Sequence, residues 1–377
     1  MKKNGGHSFR RTTKMRSRHP PPARAARKEA SISQEVLVFF YLFGLSQMTI
    51  RNPIMIAAVA AAGPDLVNIA SNPMPEGGQV GYFLTSDKVR IRYAIWPRTG
   101  EKHRGTVCLV QGRTEFIEKY FETIADFRKR GFAVATFDWR GQGGSDRLIA
   151  GDLGYVDTFD DYWCDLQSFH TEILLPDCPP PFYLVGHSMG GLVSLFAGIN
   201  DRLMFDRVFL SAPMVGLDHQ PLSFAGMARV AGALNFVGLG KLPIGRKGDR
   251  LAAEQTFPDN PLTSDRTRYM RMVDVVKARP ALGIGAPTIS WAAAAMTSMA
   301  EVGRDSFPGK IRVPVLMLAA ALDQVVSTGT IEQLGLRMRT GHHMVIAGAR
   351  HELFMEKDAI RGQVLAAFDA FITEQTG

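Results

Sequence analysis

The chain of 377 residues predicts an α/β fold: a mostly parallel, eight-stranded sheet with helices on both faces and an inserted helical cap. Three observations predict it. Short apolar runs of strand type alternate with segments of helical length and periodicity. A Gly-x-Ser-x-Gly turn, Gly186 to Gly190, lies between one such strand and one such helix. The alternation then stops for roughly ninety residues between Met214 and Pro308, too long a stretch for a loop inside a compact domain.

Taken in order, the strands are expected at 81–85, 89–95, 106–110, 132–137, 182–185, 207–211, 313–318 and 344–346. Helices are expected at 115–130, 158–175, 189–200, 328–338 and 353–374. The interruption carries amphipathic pieces at 224–236 and 267–279, which read as a cap over the site. Its Met214, Phe224, Met227, Leu234 and Phe236 could line an acyl pocket, although each alone is better read as ordinary cap core. The chain thus divides into an N-terminal extension over 1–72, a core over 73–216 and 309–377, and a helical cap over 217–308.

The extension carries most of the charge. Residues 1–30 hold ten Lys or Arg and one Glu, so the net charge of +8 leaves the remaining 347 residues near neutrality, at −1. A neutral body gives no electrostatic footprint for nucleic acid. The basic tail reads as disordered. Two apolar runs follow, at 36–46 and 54–63, each shorter than the roughly 20 residues that span a bilayer. Three readings compete for them: a secretory signal ending near Ala60-Ala61-Ala62, an interfacial anchor giving peripheral membrane contact, or an early start with translation from Met48 or Met55. Cys108, Cys164 and Cys178 form an odd set without metal-ligand spacing, which fits a reducing, cytoplasmic compartment with membrane association left open. No cofactor or metal is expected.

The chemistry centres on Gly186-His187-Ser188-Met189-Gly190-Gly191. A strand, a tight turn and a helix place a serine at the tip of a strained elbow, which makes Ser188 a candidate nucleophile. A serine hydroxyl needs a base and an orienting acid. In this arrangement the acid and then the histidine come later in the chain. His351 follows the strand-like Met344-Val345-Ile346 and opens onto the terminal helix, so it stands at a strand's C-terminal end. His342 and His343 fall before or inside that strand and read as strand histidines; His219 is the remaining competitor. Asp323 ends the run from Val313 and is the expected acid, with Asp305 its rival. The oxyanion hole should use the backbone N–H of Met189 and, from the loop Gln111-Gly112-Arg113-Thr114-Glu115, that of Arg113. The glycine-rich Asp138–Ser145 lacks the Lys-Ser/Thr ending and the spacing of a phosphate loop, which excludes that reading.

With these residues in view, the chain resembles the α/β-hydrolase superfamily, and within it the bacterial lysophospholipase and monoacylglycerol lipase family. The matching stretches are Gly112-Arg113-Thr114-Glu115 with Lys119-Tyr120, Asp138–Ser145, the elbow, Asn260-Pro261-Leu262-Thr263, Gly285–Trp291 and Gly348-Ala349-Arg350-His351-Glu352. They cover about residues 78–375. Monoacylglycerol lipases usually carry His-Gly where this chain has Gln111-Gly112, and the Gly-Arg-x-Glu form is closer to the lysophospholipase branch. The resemblance implies a serine hydrolase that cleaves carboxylic esters of single-chain lipids, lysophospholipid or monoacylglycerol, through an acyl-enzyme. An acyltransferase or general carboxylesterase using the same triad is the alternative. A non-catalytic binding protein is disfavoured because nucleophile, acid, base and both glycine turns occur together. Arg113 is a plausible phosphate contact, against a plain ion pair with Glu115 or Glu118.

Overall fold

The computed structural model describes residues 64–217, 223–244 and 256–373. The basic tail, both apolar runs, the alternative start sites and His219 lie outside the described residues. Eight strands form one sheet: β1 (Gln79–Leu84), β2 (Arg90–Trp96), β3 (Thr106–Val110), β4 (Ala133–Phe137), β5 (Phe182–His187), β6 (Arg207–Ser211), β7 (Val315–Ala320) and β8 (Gly341–Ile346). Their order is β1-β2-β4-β3-β5-β6-β7-β8. The pairs β1–β2 and β2–β4 are antiparallel and every other pair is parallel.

Strands β3, β4, β5 and β6 are buried along their whole length, as parallel strands covered on both faces must be. Their side chains alternate between two cores. Cys108, Val110, Leu184 and Leu210 join the core shared with α2 (Phe159–Phe169), α3 (Met189–Asn200) and α7 (Thr328–Arg337). Val107, Leu109, Val185 and Phe209 face the other core, under α1 (Phe121–Lys129) and α8 (Asp358–Thr373). Between β6 and β7 come α4 (Phe224–Leu234), α5 (Arg266–Ala278) and α6 (Ile289–Val302). Helix α6 extends the first core, while α5 packs with Val67 and Phe116 in a satellite cluster.

Several boundaries differ from the sequence reading for local reasons. The strand expected from Val313 starts at Val315, because Pro314 has no N–H to donate; Val315 N–H bonds the Thr340 carbonyl instead. Strand β8 begins three residues earlier than expected, since the polar Gly341, His342 and His343 still pair with Val315, Leu316 and Met317. The helix expected from Glu115 begins as a short 3-10 turn at Ile117 and becomes α1 only at Phe121. Residues 64–72, assigned above to the extension, pack on the core: Val67 N–H donates to Glu118 Oε1 at 3.1 Å and Asn72 Nδ2 to the Glu118 carbonyl at 2.8 Å.

The Asp138–Ser145 turn is a buried junction. Asp138 accepts from Arg92 Nε at 2.7 Å, Ile117 N–H at 2.9 Å and Gly144 N–H at 2.7 Å. Arg92 also pairs with Glu118 at 2.8 Å. Breaking such a desolvated pair by removing one partner is costly. The junction therefore holds the segment after β3 against the end of β4.

Candidate active site

The site forms where β3, β5, β7 and β8 end. At the tip of β5 the backbone turns through Ser188 with φ 50° and ψ −113°, left-handed geometry for a residue with a Cβ. Such strain persists only where the surroundings over-determine it. The flanking glycines supply that constraint. A Cβ on Gly186 would meet Ser194 Oγ at 2.6 Å, and one on Gly190 would meet the Gln111 carbonyl oxygen at 2.5 Å. The elbow is thus pressed against the end of β3, and Gly190 N–H bonds that same carbonyl at 3.1 Å.

Three residues far apart in sequence meet here. His351 Nε2 lies 3.0 Å from Ser188 Oγ, and His351 Nδ1 lies 2.9 Å from Asp323 Oδ2. Asp323 is fully enclosed at its side chain, and its other oxygen accepts from the N–H groups of Val325 and Val326 at 2.8 and 3.0 Å. Burial alone would raise its pKa; hydrogen bonding and charge from His351, with the two backbone donors, hold it below the ordinary carboxylate value. An ionised Asp323 can only accept, so Nδ1 carries the proton and Nε2 is left to accept from the serine hydroxyl.

The rivals lie elsewhere. Asp305 is fully exposed and pairs with Arg337 at 3.1 Å. His342 and His343 sit on β8, an outer strand of the sheet, exposed and half-buried respectively. Met189 occupies the first position of α3, where an N–H has no acceptor within its own helix. Arg113 follows Gly112 in the loop after β3, and both line the cavity with Ser188 and His351. Its guanidinium stacks 5.2 Å from the Trp291 ring and donates to the Gly285 carbonyl. Glu115 and Glu118, the acids first considered for it, pair with Lys119 and Arg92.

The cavity above Ser188 measures about 340 Å³. Its wall is mostly apolar: Met214 and Leu217 after β6, Leu262 and Pro287 in the insertion, and Trp291, Met296 and Met299 from α6. Of the expected pocket residues only Met214 lies on this wall. Met227 is buried in the first core, and Phe236 is largely exposed. Helix α6, named above only through Gly285–Trp291, contributes the larger share.

A buried charged cluster borders the site, and Glu115 and Glu352 line part of the cavity. Glu115, Lys119 and Glu352 are enclosed together, with Lys119 Nζ 2.7 Å from Glu115 and 2.5 Å from Glu352. Burial opposes the charge on Glu115, yet Lys119 and then His187 bring its pKa down to about 2. Lys119 is raised, because its two carboxylates outweigh burial. Burial raises Glu352, only partly offset by Lys119. His187 falls to about 4, chiefly through burial. In the sequence Glu115 reads only as an ion-pair candidate for Arg113, and Lys119 and Glu352 carry no expected role beyond the matched stretches. Their signal was charge within segments otherwise apolar enough to be buried. Among the described residues no cluster of His, Cys, Asp and Glu could hold a metal ion, and no helix is long and apolar enough to cross a membrane.

The chain is similar to known proteins over most of its length. Residues 101–358 match the family model described as serine aminopeptidase, S33. Lysophospholipase L2 of Escherichia coli K12 is 32% identical over 301 residues, covering 77% of this chain and 86% of that protein. A probable lysophospholipase L2 of Haemophilus influenzae is 29% identical over 290 residues, covering 77% and 90%. Among solved structures, a soluble variant of monoglyceride lipase from Saccharomyces cerevisiae superposes with a TM-score of 0.63 at 20% identity, covering 79% of this chain and 97% of that one. With the fold and a family model over residues 101–358 in agreement, the chain belongs to the serine aminopeptidase S33 family of α/β-hydrolases, among relatives that include the L2 lysophospholipases.

Proposed function

We propose that this chain hydrolyses the carboxylic ester of single-chain lipids through an acyl-enzyme on Ser188. The observation that carries the reading is the unbroken hydrogen-bond chain Asp323–His351–Ser188 at the floor of an apolar cavity. In this reading Ser188 Oγ attacks the ester carbonyl as His351 Nε2 takes its proton. The backbone N–H groups of Met189 and Arg113 receive the developing oxyanion, each contributing ~3–4 kcal/mol in the transition state. His351 then returns the proton to the departing alcohol. Water, activated by the same histidine, releases the fatty acid. Asp323 orients the imidazole and stabilises its charged form without taking the proton.

The apolar wall suits one acyl chain, and the inserted helices act as the cap that shields it from water. A lysophospholipid is favoured over a monoacylglycerol for two reasons. Arg113 brings a guanidinium to the cavity, and guanidinium matches phosphate in a bidentate manner. The relatives at 29–32% identity carry the lysophospholipase name. A fluorophosphonate probe should label the wild type and fail on Ser188→Ala. A panel of lysophospholipids, monoacylglycerols and p-nitrophenyl esters should then rank lysophospholipids first. Labelling that persists in Ser188→Ala refutes the nucleophile; equal rates on all three classes reduce the reading to a general carboxylesterase.

A further inference from the structure

Outside the triad, the feature with most unexplained chemistry is the enclosed cluster of Glu115, Lys119 and Glu352. Taking two carboxylates and an ammonium out of water is costly, and an apolar packing of similar volume often serves stability as well or better. Its location suggests another use. Glu115 and Glu352 each belong to a different segment of the site, and Lys119 joins them.

Glu115 Oε2 accepts from Gly112 N–H at 2.5 Å and from Tyr120 O–H at 2.8 Å. Thr114 N–H, two residues along, is held by Gln142 Oε1 at 2.7 Å. Side chains therefore grip the peptides on both sides of Arg113, whose own N–H is proposed above to meet the oxyanion. Thr114 has φ 66°, a left-handed conformation that a β-branched residue adopts only under constraint. Glu115 Oε1 is tied by Lys119 at 2.7 Å and lies 3.8 Å from His187 Nε2, on the residue before the nucleophile. Lys119 continues to Glu352 at 2.5 Å, on the residue after His351. Glu352 N–H in turn bonds the Leu262 carbonyl in the insertion. One cation thus links the loop after β3 to the loop after β8.

We infer that Glu115 is a positioning residue for the oxyanion hole: it fixes the Gly112–Arg113 turn, and Lys119 and Glu352 hold it in register with His351. This rests on the serine-hydrolase reading above. The mechanism needs donors already aimed at the place where charge will develop, because reorganisation during the reaction would consume the gain. A carboxylate on the Gly112 N–H provides that aim.

The test compares Glu115→Ala and Glu115→Gln with wild type on a soluble p-nitrophenyl ester, together with inhibition by an alkyl trifluoromethyl ketone, which forms a tetrahedral adduct. Glu115→Ala removes the acceptor for Gly112. It should lower kcat by about 10²-fold, the scale of one lost oxyanion donor. The trifluoromethyl ketone should weaken by a similar factor while KM stays within about twofold. Glu115→Gln keeps an oxygen for Gly112 and should recover most of the loss, to within about tenfold of wild type. A cluster that serves only stability would lower thermal stability and leave kcat and ketone affinity of the folded protein unchanged; that result overturns the inference. If Glu115→Ala does not fold, Glu115→Asp decides, because it keeps a charge for Lys119 but draws the oxygen back from Gly112: kcat and ketone affinity falling together at constant KM support the role, and neither falling overturns it. Fluorophosphonate labelling of Ser188→Ala separates the two levels. Loss of labelling there with normal kinetics in the Glu115 variants refutes only this inference, whereas retained labelling refutes the serine reading beneath it.

Discussion

Gly190→Ala is the sharpest test of how the elbow is built. Two effects oppose each other. Gly190 is the second residue of α3, where alanine is the better helix former by up to about 1 kcal/mol. The new Cβ, however, would stand 2.5 Å from the Gln111 carbonyl oxygen and 2.7 Å from that of Val110. Both are backbone atoms at the end of β3, so no flexible side chain can swing aside. The shortfall is about half an ångström against the 3.0 Å below which Cβ contacts essentially never fall. Overpacking of this kind costs about 1–3 kcal/mol, which outweighs the helix gain. The relief must come from moving α3 away from β3, which shifts Ser188 relative to Arg113 and His351. Misplacement by 1 Å can cost about 10²-fold in rate, so half that distance should cost about tenfold. The assay is kcat on a soluble ester together with thermal unfolding. Gly232→Ala is the internal control: it lies on α4 with nothing within 4 Å of the added carbon, so the same substitution should be neutral or stabilising. Gly190→Ala with wild-type kcat and midpoint, or a Gly232→Ala as damaging as Gly190→Ala, would refute the steric argument.

Other expectations follow from the same geometry. Asp323→Asn should place an amide donor against His351 Nδ1 and force the wrong tautomer, lowering kcat by about 10⁴-fold with folding retained; Asp305→Asn, exposed and paired only with Arg337, should leave kcat unchanged. His187 carries a folded pKa of about 4 against an ordinary 6.5. The unfolded chain therefore binds its proton first as pH falls, and stability should drop between pH 6.5 and about 4, then level off. The full shift corresponds to about 3 kcal/mol, and calorimetry of His187→Gln across that window should find a flatter profile than wild type. Arg113→Ala should lower the rate ratio of lysophospholipid to monoacylglycerol of equal chain length, measured as kcat/KM, because the guanidinium goes while the backbone N–H stays.

What could be read from sequence depended on how local the physics was. The elbow was legible because its requirements sit within five residues: two glycines, a serine, a strand before and a helix after. His351 and Asp323 were legible through chain order and strand ends, even though β7 begins two residues later than expected at Pro314. The helix over 115–130 was misplaced for a different reason. Glu115 looks like the acid of a first helical turn, but its carboxylate faces inward to Gly112 and Tyr120 and delays the helix to Phe121. Likewise residues 64–72 have no periodicity to mark them, and only the fold brings Glu118 to Val67 and Asn72.

The same distinction explains why the charged cluster was not legible as a unit in the sequence. Lys119 and Glu115 are four residues apart, a spacing that ordinarily means a weak, solvated helix pair. The fact that changes its meaning is Glu352, 233 residues away, which closes on Lys119 from the residue after His351. Burial then turns a surface pattern into a fixed strut. The proposed mechanism requires three loops at the strand ends to place Ser188, His351 and the N–H groups of Met189 and Arg113 to within about half an ångström of the productive geometry. Backbone bonds beyond the strand ends set part of that spacing: Gly190 N–H ties the elbow to the Gln111 carbonyl, and Leu322 N–H ties the loop after β7 to the Ala349 carbonyl. Between the Gly112–Arg113 turn and the loop of His351, the Glu115–Lys119–Glu352 cluster spans the gap.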